Sequence, residues 1–397
     1  MKTMNLKNLL LLVLLVGGFF SCNNEEKNEI LSEETQINGY ALSDTEAREL
    51  IAGFKGLQTR SGDVALQEIG TRKSIKNYRV SNGNSQTKEM IPVYEYALTT
   101  GSREGYALVI ADSRIPNVLV YADYGSLDDT LSIEPLKYYM NTEVPEIISG
   151  YITDYYNRLE INTRGSQKNI VTRSDSIGMS VQCFTSEWGQ AAPYNSACPI
   201  MSGCLPTDAA STPAYGGRAP AGCVPIAIGE IIKYHIDNHA KPNVIQNSYS
   251  NVGAFVAHIG SLVDIMYGCN GSGVWYSSFP YIRNALSYYG YHFSSGATYL
   301  TSGNGISTLE ANLLSGNPVI IEGQCEWVNL EGEIKYTFHA WVIDGQLEYP
   351  GYYFHMNWGG NGSSNGYYLC SSPSSIYVGS YYFAFNTFHI LTDIYHP

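Results

Sequence analysis

The chain has 397 residues, 44% hydrophobic and only 15% charged, with 33 tyrosines and 39 glycines, a globular balance that excludes a coiled coil or a disordered tail and exceeds one ordinary core. A formal net charge of −13 argues against nucleic acid as the main partner.

Lys2 and Lys7 precede an apolar run over 9–16, too short to cross a bilayer as a mature helix, and Gly17-Gly18-Phe19-Phe20-Ser21-Cys22 follows. Residues 1–21 read as a signal peptide, so the chain is expected to be exported. Residues 22–38 are polar and acidic, a tether. Ser43 with Glu46 forms a capping pattern ahead of Ala47, Leu50, Ile51 and Phe54, which share one helical face. Strands are predicted over 93–98, 106–111 and 118–121, and a helical segment over 135–159. Together they make a small α+β domain over 39–165. Between 162 and 176 the apolar pattern lapses, and Arg164, Lys168 and Arg173 stand among polar neighbours. That stretch suits either an ordinary interdomain loop or a point of proteolytic nicking.

The second domain, 166–397, opens with the aromatic stretch 188–195 and a Gly/Pro/Ser-rich loop over 198–220. A helix follows from Cys223, where Ala227, Ile228, Ile231 and Ile232 recur at three- and four-residue spacing and Pro225 suits the first turn. Helices over 281–289 and 306–314 precede strands over 318–322, 339–344, 352–357 and 366–369. Helices first and an antiparallel sheet afterwards is an α+β order.

Cys223 at a helix start is favoured to ionise, because unpaired amides and the macrodipole there stabilise an anion, and the thiolate is the attacking species. Gly222 before it leaves room for a substrate carbonyl. A buried packing cysteine fits the same position, and this residue alone leaves both readings open. A cysteine nucleophile needs a base. Among eight histidines, His339 opens the apolar strand 339–344, which would fix its ring at the sheet's end. His235 is twelve residues along the Cys223 helix, about three turns away and out of reach. His355 is the rival, on one strand face with Asn357, which in turn is placed to accept from the His339 ring and set its tautomer. The amide of Cys223 and the side chain of Gln190 are candidate oxyanion donors. Seven cysteines remain after Cys22, so at least one is expected free, and spacing does not pair the others. No zinc-type cysteine spacing occurs.

The blocks 188–195, Gly222-Cys223-Val224 through His235, His339 to Gly345 and His355-Met356-Asn357-Trp358-Gly359-Gly360 resemble the streptopain family of cysteine peptidases. Residues 108–116 are similar to the family's inhibitory propeptide. The resemblance implies a zymogen with a papain-like catalytic domain, with Cys223 as nucleophile, His339 as base and acid, Asn357 as orienter, Gln190 as oxyanion donor and Trp358 flanking the histidine. It implies protein or peptide substrates with an apolar residue two before the cut, the chain's own propeptide as inhibitor, and no cofactor or metal. The leader resembles that of a Bacteroidetes-type lipoprotein, with a lipid on Cys22 holding the protein at the outer membrane or cell surface, otherwise a secreted protein. Asn357-Trp358-Gly359-Gly360 lacks one Gly-Trp pair common in the family, and Pro225 replaces a small residue. A cell-wall peptide amidase or a catalytically silent surface-binding protein on the same fold are the alternatives.

Overall fold

Alternating apolar positions in both halves of the sequence call for sheet, and strands from both halves join. The structure is a computed structural model that describes residues 39–59, 68–81, 88–130, 136, 139–163, 180–201, 204, 214–274, 279–294, 298–299, 305–328, 334–348, 351–371 and 389–396. The leader, Cys22, the whole of the tether and the basic stretch 164–176 lie outside these residues.

Helix α1 (Asp44–Thr59) starts as expected, with Ser43 and Glu46 exchanging hydrogen bonds as a capping box. Four antiparallel strands follow: β1 (Ile69–Ser81), β2 (Lys88–Thr100), β3 (Arg103–Ile110) and β4 (Asn117–Ala122). The pattern does not announce β1, because its middle carries Arg72, Lys73 and Lys76, exposed on an edge strand. Such charges are how sheet edges resist further pairing. After a π-helical turn at Tyr139–Glu143 comes α2 (Val144–Thr163).

The second half supplies the short β5 (Ser180–Gln182), then helices α3 (Cys223–Asn238), α4 (Val252–Leu262), α5 (Phe279–Tyr288) and α6 (Gly305–Leu314). Its strands are β6 (Thr298–Tyr299), β7 (Val319–Val328), β8 (Ile334–Glu348), β9 (Tyr352–Asn357), β10 (Gly366–Ser371) and β11 (His389–Leu391). The sheet runs β1-β2-β3-β4-β10-β9-β8-β7-β11-β6, with β5 on β8. This is the expected α+β class, with helices and a large antiparallel sheet as in a papain-like peptidase domain.

The two halves meet at β4 and β10, where Tyr367 lies opposite Tyr121 and Tyr368 opposite Val120. Tyr353 donates to Asn117 Oδ1 at 2.8 Å and to the Val118 carbonyl at 2.7 Å, and Phe54 packs on the Tyr353 ring at 4.8 Å. One apolar core therefore runs from Phe54 and Leu108 to Phe354 and Leu369. A second lies between α3, α4, α5 and the inner face of β7 and β8.

A disulfide joins Cys204 to Cys269. Among the described residues Cys183, Cys198, Cys223 and Cys370 are free thiols, and all but Cys223 are buried. Burial pushes the thiols of Cys183, Cys198 and Cys370 up, which keeps them inert. No helix among the described residues is long and apolar enough to cross a membrane.

Candidate active site

Ala227, Ile228, Ile231 and Ile232 are all buried, so the predicted apolar stripe seats α3 against the second core and fixes where its first residue sits. That residue is Cys223, half-buried. Gly222 caps the helix with φ 88°, a conformation that glycine adopts without cost, and a Cβ there would lie 2.4 Å from Ile265 Cδ1.

His339 is not the first residue of its strand, as the sequence suggests, but lies inside β8, opposite Gly323 of β7. On the other side β9 stops pairing at Asn357, opposite Val342, so His339 lies past the end of β9, where that side of β8 is left uncovered. Its ring is hydrogen-bonded to the Cys223 thiol. Nε2 lies 3.1 Å from the Trp358 carbonyl, which only accepts, so Nε2 carries the proton and Nδ1 is left for sulfur.

The electrostatics follow from this geometry. Burial opposes ionisation of Cys223. The His339 hydrogen bond and charge, with the amides of Ala340 and Val224, more than offset it, and the thiol sits below its ordinary range. Burial likewise disfavours imidazolium at His339, but the bond and charge of Cys223 and the Trp358 carbonyl hold the ring above its ordinary value. The two shifts favour a thiolate–imidazolium pair.

Asn357 does not bond to His339. Its Nδ2 donates to Thr185 Oγ1 (2.8 Å), the Ser186 carbonyl (3.0 Å) and Glu230 Oε1 (3.1 Å), and its Oδ1 accepts from Asn365 Nδ2 (2.8 Å) and the Gly359 amide (3.3 Å). The physical reason is direction: Asn357 is buried among these partners, and the next residue's carbonyl reaches the imidazole instead. Trp358 also flanks the histidine, with ring centroids 6.5 Å apart. Trp341 stacks on the other two rings, at 5.8 Å from His339 and 4.9 Å from Trp358.

Gln190 is half-buried, and its carbonyl accepts from the Ala221 amide at 2.9 Å, which lays its chain beside the loop entering Cys223. His355 shares a side with Asn357 as expected, but it bonds through Nδ1 to Asp344 Oδ1 at 2.6 Å. Asp344 is the extra residue where the register slips between Ile343 and Gly345, and its Oδ2 accepts from Thr185 Oγ1 at 2.7 Å. His235 donates from Nε2 to the Ile394 carbonyl at 3.1 Å, away from the cysteine.

Sequence reasoning did not single out Glu230 or Asn365. Glu230 is fully buried on α3, and its Oε1 accepts from the Trp188 amide at 3.0 Å. A lone carboxylate inside an apolar helix stripe was the available signal. Asn365 accepts from the Trp358 amide at 3.0 Å. Nothing distinguishes it within a loop of glycines, asparagines and serines.

Residues 236–368 match the model of the Peptidase C10 family, a span that holds His339 and Asn357 and begins after Cys223. Streptopain of Streptococcus pyogenes serotype M28 is 24% identical over 429 residues, covering 95% of this chain and 96% of its own length. Streptopain of Streptococcus pyogenes serotype M1 is similar to the same extent, 24% over 429 residues. The family match lies in the half that carries the histidine, and the likeness to streptopain runs through nearly the whole chain; together they support a cysteine endopeptidase.

Proposed function

We propose that Cys223 and His339 are the reacting pair of an exported endopeptidase made as an inactive precursor. The observation that carries the reading is the single contact between a lowered thiol at a helix start and a raised imidazole whose far nitrogen is held by a backbone carbonyl. His339 Nδ1 takes the thiol proton, and the thiolate attacks the substrate carbonyl carbon. The C–S bond forms as the carbonyl electron pair moves to oxygen, where the Cys223 amide and the Gln190 side chain donate. The imidazolium returns the proton to the amine nitrogen as the C–N bond breaks, leaving a thioester. Water, deprotonated by His339, attacks the thioester and thiolate departs. Asn357 acts on the ring through Trp358 rather than by contact.

Residues 39–165 are the propeptide in this reading, supported by their likeness to the family's propeptide and by docking through β4 on β10. Arg103 bonds Glu187 through two 2.9 Å contacts, one residue before Trp188. Cleavage falls within 164–176, and a lipid on Cys22 retains the product at the cell surface.

The test expresses residues 23–397 beside the Cys223→Ala variant and follows chain size, casein hydrolysis and labelling by a thiol-reactive peptide epoxide. Processing, turnover and labelling are expected in the parent alone. Equal casein turnover by both proteins would remove the assignment of Cys223.

A further inference from the structure

A carboxyl group in a helix stripe of isoleucines is costly to bury unless its oxygens are bound. Glu230 has no exposed surface. It lies seven residues from Cys223, about two turns or 10 Å down the same face of α3, so it is too far away to touch a substrate carbon bonded to the sulfur. Its Oε1 receives two donors from two other elements: the Trp188 amide at 3.0 Å and Asn357 Nδ2 at 3.1 Å. Its Oε2 has no hydrogen-bond partner among the described residues.

Each donor stands next to a member of the site. Trp188 is two residues before Gln190, its carbonyl accepts from the Asn361 amide at 2.8 Å, and its ring leaves only 2.5 Å for a Cβ at Gly229 of α3. Asn357 precedes Trp358. Its Oδ1 holds Asn365 Nδ2 at 2.8 Å, Asn365 Oδ1 holds the Trp358 amide at 3.0 Å, and the Trp358 carbonyl holds His339 Nε2 at 3.1 Å. We propose that Glu230 is a positioning residue for the peptidase reaction, its oxygen Oε1 tying the segment that carries Gln190 and the turn that carries Trp358 to the helix that opens at Cys223.

The protonation state fits the bonding. Burial drives the Glu230 carboxyl well above its ordinary range, and the nearby charges of Asp344 and Glu187 add to the shift, against the opposing pull of the Trp188 amide and Asn357. Burial thus favours the protonated form of the Glu230 carboxyl. A neutral carboxyl offers one oxygen as a double acceptor and places the hydroxyl on the other, which matches the bonded Oε1 and the unbonded Oε2. Glutamine reproduces the acceptor and the shape. Leucine fills the volume but leaves the Trp188 amide and Asn357 without it, and unpaired buried donors are the expensive kind of loss.

The inference rests on Cys223 and His339 being the reacting pair, and the experiment separates the two. Residues 23–397 are prepared as the parent, E230Q and E230L, processed, and assayed for kcat and KM on a fluorogenic peptide. Cys223 alkylation by iodoacetamide is followed against pH, with melting as a check on folding. E230Q is expected to stay within about threefold of the parent in kcat, with the same alkylation profile. E230L is expected to lose about 100-fold in kcat, the scale of a 1 Å misplacement, with KM little changed and alkylation moved to higher pH. A folded E230L with parental kcat and profile overturns the proposal. So does E230Q as impaired as E230L, which would make charge the requirement. If E230L does not fold, E230D decides, since it retracts the oxygen by one methylene: a kcat at least about 10-fold below E230Q supports the proposal, and parental kcat overturns it. A parent that neither turns over peptide nor takes the epoxide removes the reacting pair, and this role with it.

Discussion

Replacing Gly222 with alanine tests how tightly the backbone sets the sulfur. At φ 88° and ψ 144° a residue with a Cβ is strained by about 1–3 kcal/mol. The new methyl would also meet Ile265 Cδ1 at 2.4 Å, which that side chain relieves only by leaving its rotamer, at about 0.5–1.5 kcal/mol. Together the loss is about 2–4 kcal/mol. For a compact unit running from Tyr40 to Pro397, an unfolding entropy of about 2.1 cal/mol/K per residue makes 1 kcal/mol worth about 1.3 °C, so melting should fall by roughly 3–5 °C. Calorimetry in the Cys223→Ala background, which lacks the proposed nucleophile, reads this directly. In the active background kcat should fall about 10- to 100-fold, because the strained residue adjoins Cys223, the proposed nucleophile. Adding Ile265→Val removes the clashing methyl, and the coupling between the two substitutions should return about 1 kcal/mol but not the remainder. Gly222→Ala with parental melting and kcat would refute the reasoning. Full recovery on adding Ile265→Val would show that the side-chain contact, and not φ, makes glycine necessary.

Below the lowered thiol pKa the sulfur regains its proton, and above the raised imidazole pKa the imidazolium is lost, so kcat/KM should plateau across neutral pH between two limbs that belong to the pair. In His339→Ala, burial is left to act against the thiolate, and iodoacetamide alkylation of Cys223 should shift to alkaline pH; an unmoved profile would separate the two residues. The Cys204–Cys269 bridge spans 65 residues and constrains the unfolded chain by about 4 kcal/mol, so Cys204→Ser with Cys269→Ser, or dithiothreitol on the Cys223→Ala protein, should lower melting by roughly 5 °C. Melting indifferent to both would contradict the bridge. Finally, His339 and Cys223 are already bonded with β4 docked on β10. Any silencing by residues 39–165 should therefore leave the pair intact, and the unprocessed chain should react with iodoacetamide as fast as the processed one while resisting the peptide epoxide. Equal slowing of both reagents would mean that the pair is disrupted before processing.

The α+β order and the Cys223 helix were legible because burial on one side writes a period into the sequence: Ala227, Ile228, Ile231 and Ile232 are all in the core. Strands β2, β3, β4 and β7 to β10 showed for the same reason, whereas β1 carries basic residues on an exposed edge and leaves no such trace. Helix α4 was not predicted, although Phe255, Val256 and Ile259 recur at three- and four-residue spacing and Asn251 caps it by accepting from the Ala254 amide at 2.9 Å. Cys223 and His339 were legible as chemistry-bearing residue types beside regular elements. Their companions were not, since which hydrogen bonds form depends on chain crossings that no local pattern encodes.

Asn357 is the instructive case. The sequence places a partner for His339 at the end of β9, but the alternation that puts Asn357 on one face cannot say whether its side chain or the following carbonyl meets the ring. The register decides: with Asn357 opposite Val342, Trp358 is the residue whose carbonyl reaches His339, and the Asn357 amide turns inward to Thr185, Ser186 and Glu230. A backbone carbonyl holds the imidazole proton whatever side chain occupies position 358, so the identity of that residue is freed for packing on Trp341 and Tyr368. The side-chain requirement moves one step back, to the groups that keep the Trp358 peptide in place. That is why Asn365 and Glu230, neither of which touches the reacting atoms, are the positions where a small change should be felt at the sulfur.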